Sequence, residues 1–164
     1  MTDFADAFNR GQKAAADAAR ARAEVEAVFG MARQELLQAT GGRIELSIID
    51  FDKPRKKTMA EFVGVAAGLD SFFNPTRLET EPWVAARNPT AADANWVKLA
   101  KWERPHEGYP CLLTYDKQDV RCHDKVALAE AIAGLLASAF AGERLHELLE
   151  RAAKPAVGES SSNE

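Results

Sequence analysis

A proline-free stretch from about Asp3 to Ala39, rich in Ala, Glu, Arg and Gln, constrains the fold more than any other feature of the sequence. Helix propensity is high along all of it. In its second half Val25, Val28, Phe29, Ala32, Leu36 and Ala39 recur at spacings of three and four, which places one apolar stripe along a helix and assigns that half to the core. The first half carries only Phe4, Phe8 and small alanines on its face, with Gly11 as a weak point. Residues 1–20 are therefore expected to protrude, or to order against a partner. Thr40-Gly41-Gly42 supplies left-handed residues that stop helices.

Strands follow. From Arg43 to Asp52, Ile44, Leu46 and Ile48 alternate with Arg43, Glu45 and Ser47, so one sheet face is buried. Lys53-Pro54-Arg55-Lys56-Lys57 reads as a basic turn, and Met59–Leu69 as the return strand. Glu81–Arg87 fits a short edge strand with Pro82 at its start, and Thr90 fits the N-cap of a single helical turn. Asn95–Glu103, Tyr109–Asp116 and Asp119–His123 continue as a meander. A turn centred on Lys117-Gln118 sets Tyr115 opposite Val120 and Leu113 opposite Cys122. Asp124 caps a closing helix with Val126, Ala129, Ile132, Leu135 and Leu136 on its apolar stripe, interrupted at Gly142.

The sequence thus predicts an α+β domain over residues 1–154. It comprises a long N-terminal helix, an antiparallel sheet of five or six strands and a broken C-terminal helix packed on the sheet. Residues 155–164, with two apolar side chains, read as a disordered tail. At 164 residues the chain is long enough to bury a core without disulfides or a structural metal.

A net charge of −4 gives no global attraction to nucleic acid or to an anionic membrane. No basic, apolar leader and no bilayer-length apolar run appears, and the two cysteines form no C-x-x-C pair, so a reducing, cytoplasmic setting is expected. A metal site from His106, Cys111, Cys122 and His123 conflicts with strand alternation. Cys111, Leu113, Tyr115, Val120 and Cys122 share one face, and His123 points to the other. Asp50 and Asp52 are acidic residues at a strand end. No phosphate loop, nucleophile elbow or zinc-protease helix is present. Neither metal, nor cofactor, nor catalysis is expected.

Two surfaces remain as candidates for binding. Strict alternation through Trp96-Val-Lys98-Leu-Ala-Lys-Trp102 places Trp96, Lys98, Ala100 and Trp102 on one face and Val97 and Leu99 on the other. Phe4, Phe8 and the alanine run Ala14–Ala27 form the second. Together they read as a small non-catalytic binding module of chaperone, adaptor or inhibitor type. Phe4, Phe8, Trp96, Lys98 and Trp102 would contact another protein, a second copy included. The alternative reading is a nucleic-acid-binding domain that stacks bases on the tryptophans and attracts phosphates with Lys53, Arg55, Lys56 and Lys57.

Overall fold

The computed structural model describes residues 1–54 and 79–155. The expected return strand Met59–Leu69, the basic residues Arg55, Lys56 and Lys57, and all of the expected tail after Pro155 lie outside the described residues. The fold is α+β. Helix α1 (Phe4–Ala39) is one continuous helix of 36 residues, about 54 Å long. Its entry is fixed by the Asp3 carboxylate, which accepts hydrogen bonds from the Ala5 and Asp6 amides. It ends at Thr40, where Gly41 and Gly42 take positive φ and the Gly42 amide returns to the Leu37 carbonyl.

Among the described residues, five strands form an antiparallel sheet in sequence order: β1 (Glu45–Asp52), β2 (Thr80–Arg87), β3 (Val97–Glu103), β4 (Cys111–Tyr115) and β5 (Gln118–Cys122). Two helices close the described fold, α2 (Lys125–Ala137) and α3 (Ala139–Glu150). The break expected at Gly142 falls instead at Ser138. Its hydroxyl donates to the Leu135 carbonyl and accepts from the Ala141 amide, ending α2 and capping α3, and the two axes differ by 64°.

Strand β2 is not an edge strand, since it pairs with β1 along its whole length and with β3 from Trp83 onward. Pro82 is tolerated because pairing with β3 starts only after it. Thr90 caps no helix. Asn88 is buried and organises a turn, accepting from the Thr90 amide and hydroxyl while its own amide donates to the Leu148 carbonyl.

The β4–β5 hairpin turns on Asp116 and Lys117, both at positive φ, as a two-residue loop requires. Tyr115 therefore lies opposite Gln118, Leu113 opposite Val120 and Cys111 opposite Cys122. This is a two-residue displacement from the expected pairing. A shift of two preserves parity, so the predicted apolar face survives it.

The helices cover one face of the sheet. Val25 and Phe29 of α1, Leu128, Ile132 and Leu135 of α2, and Leu148 of α3 form one buried cluster with Leu46, Val84, Leu99, Trp102 and Leu113. Phe29 meets the Trp102 ring edge to face, 5.0 Å between centroids. Among the described residues, no single helix is long and apolar enough to cross a membrane. Helices α2 and α3 together pass that test by length and composition, but their apolar stripe is spent on the sheet.

Candidate functional site

The strand that was to present two tryptophans contains a β-bulge. Between β2 and β3 the register moves from Val84 opposite Ala100 to Ala85 opposite Lys98, leaving Leu99 as an extra residue. The insertion reverses the alternation halfway along β3. Leu99, Ala100 and Trp102 all turn to the core, where Trp102 is 4% exposed. Trp102 is thus a core residue and not part of a contact surface. Trp96 precedes β3 and is half-buried, as is Lys98.

Lys98 shares the outer face with residues that the sequence pattern did not bring forward. Pairing sets Ile49 beside Trp83 and Trp83 beside Lys101, and sets Phe51 beside Glu81. The Lys98 ammonium lies 4.8 Å from the centre of the Trp83 ring and 5.0 Å from that of Phe51. The Trp83 indole N–H donates to Glu81 at 3.0 Å, and the same carboxylate is 3.7 Å from Lys101. At the other end Arg87 stacks on Trp96 at 4.7 Å and donates to Glu45 at 2.7 Å. Arg33 of α1 is the second partner of Glu45, whose burial these two guanidiniums offset.

The outer face therefore alternates aromatic rings with cations that already have partners. Phe51 lies near the end of the alternating strand and Trp83 follows a proline, and local pattern alone does not mark either as a site residue. Lys53 is exposed and lies 3.7 Å from Glu79.

The second surface is the beginning of α1. Every residue from Met1 to Asp17 is exposed, Phe4 at 80% and Phe8 at 65%. The first buried residue of the helix is Ala18, and the β3–β4 loop meets the helix at Ala21. Gly108 makes that contact possible. A side chain there would begin 2.5 Å from the Ala21 methyl, and its φ of +96° suits only glycine. Arg22 donates to the His106 carbonyl at 2.7 Å, and the Tyr109 hydroxyl donates to Glu24 at 3.3 Å. Burial, with the Glu24 carboxylate alongside, pushes the Tyr109 phenol up to about 12.

A cleft of about 480 Å³ opens between α1 and the sheet, floored by Phe29, Leu46, Ile48 and Trp102 with Arg33 and Arg104 among its lining. Cys111 and Cys122 are both buried on the core side. Burial and the neighbouring Cys122 thiol push Cys111 up to about 11, and burial, then Asp124, raises Cys122 as well. Thiols held protonated and away from solvent are poor nucleophiles. Among the described residues, no three His, Cys, Asp or Glu side chains are grouped so as to hold a metal ion. No protein-family model, curated protein or solved structure matches the chain.

Proposed function

We propose that this protein acts by binding another protein and not by catalysis, through the outer sheet face and the exposed start of α1. The observation that supports this most is the state of the cations on the outer face. Lys98 rests on Trp83 and Phe51, Lys101 meets Glu81, and Arg87 is shared between Glu45 and Trp96. A phosphate backbone is attracted by cations without such partners. Rings held in place by neighbouring cations suit a protein interface, where aromatic residues and arginine dominate binding energy.

The test is recovery of partners on the tagged chain from its native cells, with nuclease and stepped salt, comparing wild type with Trp83→Ala and Lys98→Ala. The reading expects a stoichiometric protein that survives nuclease and 0.3 M salt and is lost with either substitution. Recovery of nucleic acid, with affinity falling steeply as salt rises, would overturn it in favour of a nucleic-acid-binding domain.

A further inference from the structure

We infer that the first half of α1 is a self-association element, a short antiparallel helix pair formed with a second copy of this chain. The inference deepens the binding reading by naming the occupant of one of its two surfaces. It rests on the continuous helix and on the arrangement of its residues. Phe4, Phe8, Gly11, Ala15 and Ala18 follow one another at alternating spacings of four and three. That is the seam of a heptad repeat. The next position is Arg22, whose guanidinium turns to the His106 carbonyl, and beyond it the same register runs on into Val25, Phe29, Ala32 and Leu36, the stripe by which α1 docks on its own core. The seam thus begins 14 residues before Ala18, where the protomer first covers it, and the uncovered part spans about 21 Å.

The residues beside the uncovered seam are Ala5, Ala7, Gln12, Ala14, Ala19 and Ala21, small or neutral throughout. The charged residues of this stretch, Asp3, Asp6, Arg10, Lys13, Asp17 and Arg20, fall on the opposite side of the helix. Two of them pair there with neighbours one turn on, Asp6 with Arg10 at 2.9 Å and Asp17 with Arg20 at 3.7 Å. Such a helix can be approached closely along one side only.

Size then selects the occupant and its direction. The large side chains stand at one end of the seam and the small ones at the other. A second copy, reversed about a two-fold axis between Asn9 and Arg10, sets Phe4 against Ala15 and Phe8 against Gly11. All four layers then match large to small, the self-complementarity that a two-fold interface demands. A parallel copy would stack ring on ring and leave a gap at Gly11. Among the described residues nothing requires glycine at that position, because a side chain there would meet no atom of theirs within 4 Å. Glycine in a helix interior weakens it, and the reversed copy's Phe8 gives its absence of side chain a use.

Four phenylalanines and the alanine rows bury roughly 1,000 Å² in total, at the low end of specific interfaces, so the dimer is reversible.

Sedimentation of the full chain from about 1 to 300 µM covers the range expected of such an interface. Wild type should pass from monomer to dimer across it, and Phe4→Ala/Phe8→Ala should remain monomeric with unchanged circular dichroism. Spin labels on cysteines introduced at Asn9 and, separately, at Arg20 report direction. The antiparallel pair holds the two Asn9 labels close and the Arg20 labels about 30 Å further apart along the axis. A wild type that stays monomeric throughout, a dimer indifferent to loss of both rings, or equal distances from the two label sites would each overturn the inference. None of these results touches the outer-face partner, whose recovery is read separately with Trp83→Ala.

Discussion

The two halves of α1 share one helix and one seam but not one fate. From Val25 onward the seam meets Trp102, Leu46 and the α2 stripe, and Val25 and Phe29 are buried. Before Ala18 the same geometry carries Phe4 and Phe8 into solvent. Helix formation alone does not explain the first half, since an isolated helix of this length is marginal in water and is usually stabilised by packing of its apolar face. What separates the halves is a partner surface, present among the described residues for one and not among them for the other.

The sharpest way to break this comparison is to remove an anchor from each half. Trp102→Ala should cost about 3–5 kcal/mol of unfolding free energy, because it empties the site against Phe29. Phe4→Ala/Phe8→Ala should change it by about 0.5 kcal/mol or less at protein concentrations low enough to exclude association. Urea denaturation of both variants measures the contrast, and a comparable loss from the double variant would show that the first half is docked after all.

A second, smaller effect concerns Glu45, which ties α1 to the sheet through Arg33 and Arg87. Glu45→Ala leaves two guanidiniums without their carboxylate and should cost about 2 kcal/mol. Arg33→Ala should cost less, since Arg87 keeps its partner.

The pH dependence is smaller again, and its sign is fixed by the direction of the shifts. Cys111 and Tyr109 hold their protons more tightly folded than unfolded, from 9.0 up to about 11 and from 10.0 up to about 12. Above pH 9 the unfolded chain sheds those protons first, so stability that is complete below pH 9 declines between about 9 and 12. Thermal melts across that range should show a falling midpoint. The thiols should react with a disulfide reagent only as the protein unfolds, and rapid labelling at pH 8 would contradict their burial.

Much of this architecture was legible in the residues. The apolar spacing from Val25 to Ala39, the Thr40-Gly41-Gly42 stop and the alternation in β1 each follow from local rules, and so does the shared face of Cys111, Leu113 and Cys122. What escaped are features decided by contacts between segments. The bulge at Leu99 has no mark of its own, because Leu99 and Ala100 are equally acceptable in an unbroken strand, and that single residue sends Trp102 inward. The hairpin register was missed because Asp116 and Lys117 adopt positive φ without a glycine to announce it. Ser138 rather than Gly142 breaks the C-terminal helix because its hydroxyl serves both helix ends, and glycine within α3 is merely tolerated. The outer face was half legible for the same reason. Lys98 was visible on it, but Trp83 and Phe51 came beside Lys98 only through the pairing of β1, β2 and β3.

Amide hydrogen exchange along α1, followed at low and high protein concentration, tests the contrast between the two halves most directly. Residues 21–36 should be protected equally at both concentrations, while residues 8–18 should exchange orders of magnitude faster when dilute and gain protection as concentration rises. Equal, concentration-independent protection along the whole helix would contradict the account.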